Sequence, residues 1–273
     1  MREHRFTGIM TLAAVLAALT LIAVPAGFAQ RGGGAQAARP NIPIPRAADG
    51  KPNLSFSDPA NKGGWQSSQH WDYAADLIER KEEGIPFQPW AKALFDYRKL
   101  TEHKDDPEGF CVPPGGTRAT STQGLQEFIQ LPEQKRIIRM FDSSSANWQI
   151  IYMDGRPHPP EVYELPSWMG HSIGHWEGDT LVVDTVGFNE GHWASVWGAP
   201  RTEKHHLIEK FTRKDYYTLR YEVTIDDTGA YTRPWTIGWD LRWNLGAEIE
   251  HAVCAENNRF LDHYENLEIP GAR

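Results

Sequence analysis

The chain has 273 residues, 23% of them charged, and 28 Lys and Arg against 36 Asp and Glu leave a net charge of −8. That balance lacks the basic footprint nucleic-acid binding requires, so this class is excluded as an expectation. The length suits one large β domain or two small ones.

The chain opens on a leader-like stretch. Met1–Ala29 has a basic start at Arg2 and Arg5 and an apolar run from Ile9 to Val24. It closes on Ala26-Gly27-Phe28-Ala29, with small residues at the cleavage positions. This is a secretory signal pattern. Its apolar run is short of the roughly 20 residues that span a bilayer, and no later stretch is apolar enough to do so. Export to the periplasm or beyond is therefore expected, with no membrane span after cleavage. Losing Arg2, Arg5 and Glu3 takes the net charge from −8 to −9 (−8 − 2 + 1).

Gln30–Gly64 is rich in Gly, Ala, Pro and Asn and reads as a flexible tether. Residues 65–108 read as a helical N-terminal segment lying across a sheet or barrel mouth. Within it, Trp71–Glu83 places Trp71, Ala74, Ala75 and Ile78 at helical spacing. Pro89–Thr101 does the same with Trp90, Ala91, Leu94 and Phe95, and Pro89 suits a first-turn position.

Residues 109–262 change character, and a tail (263–273) follows. Short β-like runs at Phe128–Leu131, Arg136–Phe141, Trp148–Met153, Ser172–Glu177, Thr180–Phe188, His205–Arg213, Tyr217–Ile225, Trp235–Trp243 and Glu248–Cys254 alternate with turn signals. The spacing predicts an all-β, mainly antiparallel barrel of the calycin or lipocalin kind. Eight of the eleven tryptophans lie between Trp148 and Trp243, enough rings to fill an interior or line a pocket. Trp235, Ile237, Trp239, Leu241 and Trp243 share one strand face as core or pocket wall. Asp226-Asp227-Thr228-Gly229 lacks the ligand spacing of a calcium loop and reads as a turn.

The histidine-rich stretch Asp154–Asn189 carries the candidate chemistry. Glu177-Gly178-Asp179-Thr180 suits a two-residue hairpin turn, which sets His171 opposite Val186, Ile173 opposite Asp184 and His175 opposite Val182. These six side chains share a face, opposite Ser172, Gly174, Trp176, Leu181, Val183 and Thr185. Asp184 then lies diagonal to both histidines, about 7–8 Å away. A carboxylate-oriented imidazole serves as a general base, and His158, Arg156 and His192 can approach from flanking loops. Histidines on a half-exposed strand are equally at home as plain surface groups. No metal or other cofactor is expected: His171 and His175 sit about 13 Å apart along a strand, too far to share an ion unless it bends.

Two cysteines, Cys111 and Cys254, are left either as a disulfide or as two buried thiols. No nucleophile elbow, P-loop, dinucleotide fingerprint or CxxC pair is present, and Ser172 faces away from its neighbour His171.

Cys111-Val112-Pro113-Pro114-Gly115, Ile151–His158, Gly170–Thr185, Thr224–Asp227, Tyr231–Trp235 and Cys254–Asn258 together resemble a widespread, largely uncharacterised family of exported bacterial proteins. The resemblance spans roughly residues 85–260. It implies that His171 and Asp184 matter more than His175, whose family counterpart is often another basic residue. Thr228 stands where the family pattern has Pro.

Three functions are open at this point. The first is a binding barrel holding a small hydrophobic or ring-containing ligand in an aromatic-lined cavity, with His175, Trp176, Trp193, Trp235 and Trp239 as contacts. The second is a periplasmic lyase, isomerase or hydrolase with His171 as acid/base, Asp184 as its orienter, and Arg156 or His158 stabilising charge. The third is a structural envelope or partner-binding protein. The enzyme reading requires His171 and Asp184 to bond to each other and face a solvent-connected cavity.

Overall fold

The computed structural model describes residues 42–259, except 56–58, 69, 71, 123, 143–146, 252 and 255–257. The leader, the first part of the expected tether, Trp71 and the C-terminal tail lie outside the described residues.

Nine strands form a closed barrel in sequence order: β1 (Gly63–Gln66), β2 (Leu125–Leu131), β3 (Arg136–Phe141), β4 (Asn147–Tyr152), β5 (His171–Glu177), β6 (Thr180–Val186), β7 (His206–Asp215), β8 (Thr218–Asp226) and β9 (Trp235–Leu245). The all-β barrel predicted from sequence is what forms. Alternation of burial along β3, β7, β8 and β9 places every second side chain inside, as a two-residue period requires.

The barrel is mainly antiparallel, as expected, with one parallel pair: β4 and β5, Ile151 beside Ser172 and Tyr152 beside Ile173. A parallel neighbour needs a long return connection, and residues 153–170 supply it, running outside the barrel with the short helix α3 (Glu161–Glu164). Glu248–Cys254 does not add a strand among its described residues. Instead β1, drawn from the stretch read as tether and its edge, pairs with both β2 and β9 and closes the barrel.

The same apolar demand organises the rest of the arm. Leu54 is fully buried, and its carbonyl accepts the indole N–H of the equally buried Trp65 at 2.6 Å. Trp65 meets Trp243 edge to face at 5.0 Å between ring centroids. Further out, Arg46 forms a two-point ion pair with Asp179 in the β5–β6 turn, at 2.6 and 2.7 Å.

Of the two predicted helices, α1 (Pro89–Leu100) forms, with Pro89 in its first turn. Trp71–Glu83 does not. Its described residues hold turns and one short 3-10 turn at Lys81–Glu83. The reason is competition for backbone partners. β1 covers β9 only from Arg242 onward, leaving β9 groups near Thr236 and Gly238 bare. Ile78 N–H donates to the Thr236 carbonyl and Gly238 N–H to that of Asp76, while Tyr73 and Leu77 are buried.

Inside, each strand from β2 to β8 contributes one polar side chain to a hydrogen-bonded layer. Arg139 ion-pairs with Glu209 at 3.2 Å and donates to Gln126 and to Thr120 of α2 (Thr117–Ser121). Tyr221 donates to Glu209 at 2.9 Å, and Gln149 reaches Ser172, which bonds Thr185. The guanidinium also lies 4.5 Å from the Phe141 ring and 4.8 Å from that of Phe211. α2, wholly buried, stops the end of the barrel at which β2 begins. Outside the barrel, Cys111 and Cys254 form a disulfide with Cα atoms 5.5 Å apart across 143 residues. In the chain-entropy model such a closure contributes about 5 kcal/mol.

Arg139 and Glu209 are each 1% exposed, so removing one partner strands the other charge. Glu209→Ala is expected to cost about 3–5 kcal/mol in urea unfolding, and the double change Arg139→Met/Glu209→Leu markedly less. A single-variant loss below about 1 kcal/mol would contradict the pairing.

Candidate functional site

The predicted hairpin register holds at every position: His171 pairs with Val186, Ile173 with Asp184, and His175 with Val182. Ser172, Leu181, Val183 and Thr185 are buried in the interior, so the histidine face lies on the outside of the barrel.

The connection between β4 and β5 brings His158 down onto that face. His158 Nδ1 lies 2.8 Å from His171 Nδ1, and its Nε2 lies 3.2 Å from Asp184 Oδ1. Asp184 also takes His206 Nε2 at 2.8 Å, from the start of β7. Tyr152 stacks on the His171 ring at 5.3 Å, and the Arg156 guanidinium covers Tyr152 at 4.2 Å while ion-pairing with Asp154. His158, His171, Asp184 and Arg156 thus lie in one neighbourhood. Asp184 does not orient His171, however. The diagonal gap is bridged by His158, and the carboxylate serves His158 and His206 instead.

Burial, then the nearby His158 and Arg156, lowers the pKa of His171. Burial raises that of Asp184, but the hydrogen bonds from His206 and His158 outweigh it and the net direction is down. The bond to Asp184 raises His206. In this relay of four side chains on the outer face of the barrel His171 bonds His158 and not Asp184, so the condition set for acid/base catalysis by that pair is not satisfied. His206 was missed as a member. Its place in the alternation of β7 was readable, but its approach to Asp184 depends on the β6–β7 register.

The remaining candidates disperse. His175 is exposed on the outer face, and its Nε2 lies 3.2 Å from Glu177 Oε1. Trp235 and Trp239 are core residues: Trp239 stacks on Tyr73 and meets Tyr221 edge to face, and Trp235 meets Tyr231 edge to face and Tyr73 at a tilt. Trp193 is buried outside the barrel beneath the Arg98 guanidinium, 4.4 Å from its ring. His192, also buried, has its pKa lowered to about 3 by desolvation.

Trp176 is the ring that meets open space. At the barrel end opposite α2 it lines a cleft of about 240 Å³ with Leu131, Ile137 and Met153, alongside Lys135, Arg136 and Asp49. The loop bearing Asp49 is a backbone turn from Ala47 to Gly50 held against the β5–β6 turn by the Arg46–Asp179 pair. The Arg136 Nε is buried without a hydrogen-bond partner. Among the described residues no helix is long and apolar enough to cross a membrane. No protein-family model, curated protein or solved structure matches the chain.

The Asp184–His206 pair has a defined pH window. The raised His206 value means its contribution is lost as pH rises through that value, and the depressed Asp184 value means loss as pH falls through the carboxylate range. Asp184→Asn is expected to move the NMR titration midpoint of His206 down to its ordinary 6.5 or below. An unmoved midpoint would show that the bond does not form.

Proposed function

We propose that the protein is an exported binding barrel that takes a small ring-containing molecule bearing an anionic group in its open mouth. The observation that carries this reading is the cleft around Trp176. Its floor is apolar, one indole is available for stacking, and two cations, Lys135 and Arg136, stand against a single carboxylate, Asp49. A volume of about 240 Å³ suits one or two rings rather than a lipid chain. The buried tryptophans of β9 do not line this cleft, which removes them as contacts in this reading. The leader-like start and the disulfide support an oxidising compartment such as the periplasm. The motifs from Gly170 to Thr185 support membership of the exported family.

Anilinonaphthalene sulfonate, which joins rings to one anionic group, is a direct probe. Titration calorimetry should show one site. Trp176→Ala should weaken binding at least tenfold, about 1.4 kcal/mol, and Arg136→Gln by a similar factor. Trp148→Ala, at an indole 63% exposed elsewhere on the barrel, should leave affinity unchanged. Equal affinity across all three variants would sink the assignment.

A further inference from the structure

A second constellation lies in the segment 67–78, away from both the barrel mouth and the outer histidine relay. His70 Nδ1 sits 3.0 and 2.9 Å from the two carboxylate oxygens of Asp76, and His70 Nε2 sits 3.2 Å from Ser68 Oγ. An ionised carboxylate only accepts, so Nδ1 carries the hydrogen and Nε2 is left to accept the Ser68 proton. That is the tautomer a serine nucleophile needs.

The supports are rigid. His70 stacks on the buried Trp239 ring with centroids 4.5 Å apart and planes 16° from parallel, and its backbone N–H donates to the Ser121 carbonyl at 3.1 Å. Asp76 is tied to the β9 edge through its carbonyl, which accepts Gly238 N–H at 3.1 Å. The His70 and Asp76 side chains are 17% and 16% exposed, whereas Ser68 is open to solvent. The cluster faces a cleft of about 450 Å³ lined also by Gln66, Ser67, Asp240 and Arg242. The acid and the base are sheltered to the same degree and only the hydroxyl is exposed, so substrate reaches the nucleophile first.

We propose that Ser68, His70 and Asp76 form a nucleophilic hydrolase site for small polar carboxylic esters. Ser68 Oγ attacks the acyl carbon as its proton passes to His70 Nε2. The C–O bond to the leaving alkoxide breaks, and the alkoxide takes that proton from Nε2. The acyl-serine is then attacked by water, deprotonated by the same nitrogen. The carboxylic acid leaves and Ser68 regains its proton from His70. Asp76 acts as a positioning residue through His70, and Arg242, which donates to Thr218 and lies 3.7 Å from the Asp240 carboxylate, lines the cleft.

The test is labelling of the full chain with a fluorophosphonate, followed by peptide mapping, with p-nitrophenyl acetate turnover measured in parallel. One phosphonyl group should attach at Ser68 with loss of fluoride. Ser68→Ala should abolish labelling, and Ser167→Ala, at an exposed serine of the β4–β5 connection, should leave it at the wild-type rate. His70→Ala and Asp76→Asn should slow it by about 100-fold or more while circular dichroism stays native. Asp76→Glu should restore part of the rate, which a purely structural role for Asp76 would not predict. Labelling that falls on another residue, no labelling at all, or turnover that survives Ser68→Ala would each overturn the proposal.

Discussion

The barrel depends on the ion pair between Arg139 and Glu209 in its interior. Two opposite charges out of water are tolerable only when their remaining donors and acceptors are met, and here the neighbouring strands and α2 each supply a partner. Gln126, Thr120 and the aromatic faces surround the guanidinium, while Tyr221 and Gln149 reach the carboxylate. The result is a polar layer that only one register of β2 through β8 can satisfy. A slip by one residue in any of them would turn its polar contributor outward.

That layer leaves the two ends of the barrel unlike. On one side α2 is fully buried and closes the interior. On the other, the β2–β3 and β5–β6 turns leave Trp176, Met153 and Ile137 at an open rim, with the arm around Arg46 and Asp49 leaning over it. Closure itself falls to four residues, Gly63–Gln66, of which Gly64 packs against Leu125 so tightly that a Cβ would come within 2.6 Å of it. Because that strand is short, β9 keeps a bare edge, and the chain from Asp76 to Ile78 fills it. The excursion between these two pairings is where Ser68 and His70 are held. A site is thereby produced by the way the sheet finishes its hydrogen bonding.

The dense histidine motif has a different place from the one its composition suggests. Strand alternation sends its polar side chains outward, and the return connection required by the parallel β4–β5 pair covers them with His158. The outcome is a surface relay that ties β5, β6 and β7 to the crossover. It holds a pH-sensitive pair at Asp184 and His206, and it is remote from the aromatic interior.

Local period and turn chemistry were enough to determine much of this molecule. The turn at Gly178-Asp179 set the β5–β6 register, the two-residue alternation from Trp235 to Trp243 marked the core face of β9, and Pro89 began α1. Each depends on neighbours within a few residues. The long-range pairings were decided by the tertiary structure alone. The strand at Gly63–Gln66 sits in a stretch of tether-like composition and exists because β2 and β9 offer it edges. Helical spacing from Trp71 lost to the unpaired backbone of Thr236 and Gly238. His206 met Asp184 only through the β6–β7 register, and Ser68, His70 and Asp76 came together only where the chain leaves one pairing on β9 and joins the next. A sequence shows which side chains can face one another along a strand; which strand lies alongside is settled by burial and by hydrogen bonds that only the closed barrel can complete.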